Sequence, residues 1–187
     1  MGCLQSKDKN DFSSTDPPTR KVDSRLPFET YRQVFNMRNS WKAVTRSLED
    51  TAKDTLIRFF ERHPEHKALH TNLVSLDTEE AMRESLAFEN AALDIFNLID
   101  QVMENLENVD VAIDALEAAG EAHGRIQGFK TEYFKDLEEP FLESVSAVLA
   151  ERYTEATERN FKNIFAFILT HITNGYEGTS GDNTNRI

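Results

Sequence analysis

The stretch LEAAGEAHGRIQGFKTEYF, residues 116–134, contains the most informative histidine of the chain. His123 stands one helical turn after Ala119 and two turns after Leu116, at the end of an apolar helix face, whereas the other four histidines lie in polar company or near helix ends. An imidazole at position 123 can offer one ring nitrogen to a metal while the other donates to a backbone carbonyl one turn back. On this residue alone, a core histidine with satisfied hydrogen bonds is the simpler interpretation, so other features of the chain are needed to choose.

Turn-forming residues are rare in the chain, and its apolar residues recur at the spacing of an α-helix. These two features predict an all-α fold of six or seven helices. Glycine is absent from position 4 to position 119, and β-hairpins favour glycine at their turns, so a β-rich domain is not expected. The first helix is predicted to open at Pro27 and Phe28, and a second is predicted to stop at Pro64. Further helices are predicted from Asp77 or Thr78 to Leu106 and from Asp110 to His123. The last two are predicted over Thr131–Glu151, with a kink or delayed start at Pro140, and over Thr154–Asn174, with Gly175 as its cap.

Composition excludes several classes of protein. The 187 residues include 21 lysines and arginines against 33 aspartates and glutamates, for a formal net charge of −12. Such a surface repels phosphate backbones, so no nucleic-acid partner is expected. The single cysteine excludes an intrachain disulfide and a cysteine-based zinc site. The longest apolar run, residues 164–169, is too short to span a bilayer, which predicts a soluble domain of the reducing cytosol.

The first six residues, MGCLQS, fit the pattern for N-myristoylation of Gly2 after removal of Met1. One myristoyl chain binds membranes only marginally, so a second signal is needed. Residues 1–25 carry five basic and four acidic side chains, too even a balance for a polybasic patch. Cys3 is therefore the predicted second site, as a palmitoylated cysteine, and we expect anchoring to lipid at the cytoplasmic face of the plasma membrane. A chance Met-Gly start is the alternative.

No motif of an enzyme or a calcium sensor is present. The sequence has no glycine-rich phosphate loop and no H-E-x-x-H zinc motif, and residues 8–13 lack the fifth-position ligand and sixth-position glycine of an EF-hand. With the one cysteine at position 3, no core thiol is available for catalysis. We therefore expect no catalytic residues and no enzymatic activity.

Several segments in one order resemble the globin family over residues 28–176. They are Trp41, FFERHP at 59–64, FEN at 88–90, IF at 95–96, ID at 99–100, GEAH at 120–123 and GFKTEYF at 128–134. The last two are the best anchor, because their spacing is similar to the proximal-histidine segment of that family. The acylated start also resembles membrane-attached members, such as globin X-like and invertebrate globins. The implied organisation is a flexible acylated tether at 1–25, a globin domain at 26–176 and a disordered tail at 177–187.

The resemblance implies a globin-like three-over-three helical sandwich that binds haem b, with iron on His123 as the proximal metal ligand. Because haem would fill part of the core, the apo form should be less stable. The residues implied to contact haem are His123, Leu56, His70, Ala91, Ile95, Phe129 and Phe134.

Two of these positions depart from the family pattern. Ala91 stands where the distal histidine or glutamine is expected, and His70 where a loop phenylalanine packs on haem. Leu56, Ala91 and Ile95 offer no hydrogen-bond donor to a bound gas. Bound dioxygen should therefore dissociate fast and promote oxidation of the iron, which argues against oxygen storage.

His70 has three interpretations. The simplest is a solvated loop residue that does not touch haem. It can instead turn into the pocket and donate a hydrogen bond or ligate iron as a sixth ligand. Its presence can also mean that the pocket holds no haem.

The expected function is that of a membrane-tethered haem globin in gas or redox sensing, or in electron transfer. Its partners would be a diatomic gas (O₂, CO or NO) or an electron donor or acceptor. The alternative is a haem-free globin-fold adaptor that binds a protein through its acidic surface. A peroxidase-like activity is disfavoured, because Ala91 supplies no acid–base group.

Overall fold

The computed structural model describes residues 20–182, and its regular structure over that range is entirely helical. The helices are α1 Tyr31–Val44, α2 Leu48–Arg62, α3 Pro64–Lys67, α4 Glu79–Glu84, α5 Leu86–Glu104, α6 Val109–Gly124, α7 Glu132–Asp136, α8 Glu138–Leu149 and α9 Glu155–Asp182, with 3₁₀ turns at Thr45–Ser47 and Ala150–Arg152. Gly2, Cys3 and most of the predicted tether lie outside the described residues, so their acylation stays a prediction.

The first helix begins later than the sequence predicts. Thr30 is its N-cap, accepting a hydrogen bond from the Gln33 backbone N–H, while Gln33 Oε1 accepts from the Thr30 N–H at 2.9 Å. This reciprocal capping box satisfies the free donors of the first turn. Pro27 and Phe28 therefore precede the helix instead of opening it, and Phe28 packs into the core with 5% of its surface exposed.

Two predicted helices are each divided. The helix expected from Asp77 or Thr78 to Leu106 is broken at Ser85, whose extended backbone ends α4 and whose side chain accepts from the Phe88 N–H to cap α5. The helix expected over Thr131–Glu151 is two helices, α7 and α8. Pro140 lies in the first turn of α8, where its missing N–H costs no hydrogen bond, so the delayed start is confirmed.

The last helix corrects the prediction of a disordered tail at 177–187. Gly175 does not cap α9, which continues to Asp182, so residues 177–182 are helical. Residues 183–187 lie outside the described part. Gly175 is instead packed directly against the backbone of α6.

The helices form two layers of three. One layer contains α1, α5 and α6, and the other contains α2, α8 and α9, with α6 crossing α9 and α2 crossing α5 between them. Trp41 lies in the core where the layers meet, 3% exposed, beside the rings of Phe96 and Phe141. Its indole N–H donates to Asp100 Oδ1 at 2.6 Å, which joins α1 to α5. The predicted three-over-three sandwich is confirmed.

The crossing of α6 and α9 is a backbone-to-backbone contact made by glycines. A Cβ on Gly120 would lie 2.0 Å from the Ile172 carbonyl oxygen, and one on Gly175 would lie 2.0 Å from the Glu117 carbonyl oxygen. Neither backbone atom can move out of the way without displacing its helix. Only glycine allows this approach at both positions.

We therefore expect Gly175→Ala to lower the free energy of unfolding by about 2 kcal/mol, because the new methyl group overpacks the crossing. Gly178→Ala is the matched control in the same helix, since its Cβ would meet nothing within 4 Å. The control should be neutral or slightly stabilising, as alanine is the better helix former. Urea unfolding of both variants tests this, and equal midpoints would contradict the crossing described above.

Candidate haem site

A cavity of about 450 Å³ opens between the two layers, bounded by α2, α5, α6 and α9, by the short helices α3 and α7 and by the loops beside them. This volume lies within the range of small-molecule sites, and the lining is mainly apolar. The lining residues are Leu56, Phe59, His66, Leu69, His70, Ala91, Asp94, Ile95, Leu98, Ile99, Ala119, Ala122, His123, Phe129, Tyr133, Phe134, Leu137, Phe165, Ile168, Leu169 and Ile172.

All seven residues that the sequence analysis assigns to the haem site line this one cavity. They come from α2 (Leu56), the loop after α3 (His70), α5 (Ala91 and Ile95), α6 (His123), the turn after α6 (Phe129) and α7 (Phe134). The fold therefore gathers these seven residues around one space, although they are spread over almost eighty positions of the chain.

His123 lies in the last turn of α6, and its ring is held in one orientation. Nδ1 is 2.7 Å from the Ala119 carbonyl oxygen, one turn back. A carbonyl can only accept, so Nδ1 carries the proton and Nε2 keeps its lone pair. The rings of Phe129 and Phe134 pack against the imidazole with centroids 4.9 and 5.1 Å away. The arrangement leaves one oriented, unprotonated nitrogen for a metal at an apolar cavity.

The turn after α6 positions the two phenylalanines. Gly128 has a φ of +85°, a conformation that side chains with a Cβ rarely adopt. The chain reverses there and brings Phe129 back under the end of α6. Tyr176 in α9 donates its hydroxyl hydrogen bond to the Phe129 carbonyl at 2.8 Å, which secures the turn to the other layer.

Apart from Asp94 of α5, the lining residues contributed by α2 and α5 are apolar. Leu56, Ala91 and Ile95 are among them, and none of the three carries a side-chain hydrogen-bond donor. Phe59 and Ile99 extend the same apolar surface. A ligand bound against this surface would receive no hydrogen bond from it.

His70 lies in the loop with its surface exposed, as in the simplest of its three interpretations, and it also lines the cavity. Its ring is edge-on to that of Phe60, at a centroid distance of 5.7 Å. Partial burial lowers the pKa of its imidazole, and the nearby rings of His123 and His66 lower the pKa further when they carry charge. His70 is therefore held toward its neutral form, the form that ligates metals.

His66 is the site residue that the sequence analysis misplaces. It belongs to the four histidines assigned to polar company or helix ends, yet its surface is only 2% exposed and it lines the cavity. Its ring stacks on Phe59 at 4.9 Å, and its Nε2 lies 2.8 Å from Asp136 Oδ2. The two partners are separated by seventy positions. One sequence feature could have indicated this position: Phe59 and His66 are separated by two helical turns and would share a helix face. Pro64 lies between them and predicts the end of a helix, so this spacing is easily overlooked.

A model of the globin family matches residues 53–172 of the chain, which is more than half of its length. The chain belongs to the globin family. The predicted family is thereby confirmed, and membership implies haem as the cofactor and a diatomic gas as its ligand. The acylated, membrane-attached subtype stays a prediction.

Relatives of known name agree with this assignment. Cytoglobin-2 of Oryzias latipes is 26% identical over 140 residues, which cover 75% of this chain and 78% of that protein. Cytoglobin-1 of the same fish is 25% identical over 148 residues, covering 79% and 84%. A crystal structure of a hexacoordinated haem protein from an anhydrobiotic tardigrade at pH 4 matches with a TM-score of 0.79 and 32% identity, over 83% of this chain and 99% of that one.

Proposed function

We propose that this globin binds haem b in the 450 Å³ cavity, with His123 as the proximal ligand of the iron. One observation carries the proposal, namely that His123 is fixed through Nδ1 to the Ala119 carbonyl and has its Nε2 free at an apolar cavity. Bound haem would supply a redox-active iron with an open or exchangeable coordination position. The protein contributes orientation of the imidazole, an apolar enclosure and control of the opposite face.

On the opposite face we propose His70 as the sixth ligand. It lines the same cavity as His123, and its lowered pKa favours the neutral imidazole that ligation requires. The tardigrade protein that shares this fold is described as a hexacoordinated haem protein. Ala91 leaves the usual distal position without a side chain that can reach the iron, so His70 has no competitor there.

The apolar wall of Leu56, Ala91 and Ile95 favours a particular group of functions. With no donor to stabilise the partial charge of bound dioxygen, storage of that gas is disfavoured. The binding of CO and NO is weakened less by the absence of a hydrogen-bond donor. A globin whose sixth position is filled by its own histidine suits gas or redox sensing, or electron transfer, better than oxygen storage.

We also propose that acyl chains on Gly2 and Cys3 hold the domain at the cytoplasmic face of the plasma membrane. The pattern MGCLQS supports this. Within residues 20–182, no helix has the length and apolar character needed to cross a bilayer.

The haem proposal is tested first by optical spectra of the haem-supplied protein, ferric and ferrous, with and without CO. A Soret band that shifts on reduction is expected, and His123→Ala should lose it or change it strongly, because the axial nitrogen is removed. His171→Gln is the control, since this histidine does not line the cavity. The absence of a stoichiometric haem band would favour the haem-free adaptor, and an unchanged spectrum in His123→Ala would contradict the assignment of that residue.

The sixth ligand has its own test. Wild-type ferrous protein should show sharp six-coordinate bands and bind CO slowly, because the competent five-coordinate form is a minority. His70→Leu should be five-coordinate and bind CO faster by roughly tenfold or more, the factor expected when a competing state of about 90% or more is removed. Thr71→Ala is the control, as a neighbour in the same loop that does not line the cavity. A five-coordinate wild type, or six-coordinate bands that survive in His70→Leu, would contradict the proposal.

Membrane attachment is tested by fractionation of cells that express the full chain. Wild type should sediment with membranes, Gly2→Ala should be released, and Cys3→Ser should be partly released because one acyl chain gives marginal binding. Gly178→Ala is the glycine-to-alanine control. Continued membrane binding of Gly2→Ala would overturn the anchor.

A further inference from the structure

Beside the haem cavity, two helices distant in sequence bring three metal-ligating side chains together. His63 and His66, at either side of the Pro64 that opens α3, meet Asp136 at the end of α7. His66 Nε2 is 2.8 Å and His63 Nδ1 is 3.9 Å from Asp136 Oδ2. The three ligand atoms all lie within 4.8 Å of one another.

The surrounding residues hold this cluster in place. His66 is clamped between the ring of Phe59, stacked at 4.9 Å, and that of Tyr133, 4.0 Å away. The His63 ring lies over that of His66 with a centroid distance of 5.3 Å. The side chains of His63 and Asp136 are 29% and 31% exposed, so the cluster can be reached from solvent on one side.

From this geometry we infer a zinc site formed by His63 Nδ1, His66 Nε2 and the Asp136 carboxylate, with water as the fourth ligand. Zinc binds imidazole nitrogen and carboxylate oxygen at about 2.0–2.2 Å, which separates neighbouring ligands of a tetrahedron by about 3.4 Å. The distances of 2.8 and 3.9 Å bracket that value, and His63 Nδ1 and His66 Nε2 lie within 4.8 Å of each other, so small side-chain movements would bring the three atoms around one ion. Two imidazoles in the set select zinc over magnesium and calcium.

Metal binding at His66 replaces a hydrogen bond by a coordination bond and adds no unsatisfied ring atom. Without metal, its Nε2–H donates to the carboxylate, and its buried Nδ1 has no hydrogen-bond partner. With metal on Nε2, the proton moves to Nδ1, and the number of unsatisfied ring atoms stays the same. Glu65, whose carboxylate is 3.6 Å from His63 Nδ1, adds negative charge beside the incoming cation.

Zinc here would join α3 to α7, and both segments border the haem cavity. His66 and Tyr133 line it, and His70 follows His66 by four residues. A metal that pins α3 should restrain the loop from which His70 reaches the cavity. This coupling rests on the proposed haem function, whereas the zinc site itself does not.

The site is tested by titrating Zn²⁺ into the full-length, untagged, haem-supplied protein in competition with a chromophoric chelator. We expect one equivalent to bind, and His63→Gln and Asp136→Asn each to weaken the affinity at least tenfold. Both substitutions are nearly isosteric. The matched control is His171→Gln, which removes another histidine beside a carboxylate, 3.7 Å from Glu117, and should leave the affinity unchanged.

Zinc X-ray absorption on the wild type gives a second measurement that needs no variant. Only nitrogen and oxygen neighbours at about 2.0–2.1 Å are expected, whereas sulfur at about 2.3 Å would place the metal on Cys3 and overturn the proposal. Failure to bind one equivalent, or equal affinity in all variants, would overturn it as well. Haem content is measured from its own optical band, so a failure of haem binding is distinguished from a failure of zinc binding.

Discussion

The close approach of α6 and α9 is the constraint on which the site depends. Gly120 and Gly175 let the two backbones touch, and no residue with a Cβ fits at either position. His123 lies one turn beyond Gly120 on the same helix, so the crossing sets the depth and rotation of its imidazole. Tyr176, next to Gly175, holds the Phe129 carbonyl and thereby the turn that packs beneath His123. One contact therefore fixes both the imidazole and the aromatic residues around it.

The sequence predicts the helices well where a periodic apolar face is uninterrupted, and poorly where tertiary packing decides. The break at Ser85 carries no glycine or proline, and only its capping hydrogen bond to Phe88 marks it. Conversely, Gly175 and Gly178 suggest the end of a helix, yet α9 continues through both. Gly175 allows close packing against α6, whereas a Cβ at Gly178 would meet nothing within 4 Å. The sequence alone does not distinguish these two glycines.

The same limit applies to the site. His123 and its surroundings are predictable, because the ligand, its carbonyl partner and the packing phenylalanines lie within one short segment in which the spacing itself is informative. The pairing of His66 with Asp136 is not predictable from the sequence, because it depends on how α3 packs against α7 in the folded chain. A site whose residues lie in one short segment can be predicted from the sequence, whereas a site assembled from distant segments can be recognised only in the folded structure.

The distribution of polar groups around the cavity limits how this globin can respond to a ligand. Apart from Asp94, the lining residues from α2 and α5 are apolar, and two of the cavity's histidines, His66 and His70, come from one short segment, residues 63–70. That segment contains a single turn of helix followed by hydrogen-bonded turns, in which the His70 N–H donates to the Lys67 carbonyl at 3.0 Å and the His70 carbonyl accepts from the Leu73 N–H at 2.8 Å. With haem bound as proposed, His123 would be held by a long helix and by the Ala119 carbonyl, whereas His70 would be held by short turns, so a change at the iron would displace the loop before the core. The outer surface of the same segment carries His63, with the Asp136 carboxylate 3.9 Å away, so a cation bound there and a ligand in the cavity would act on the same short segment.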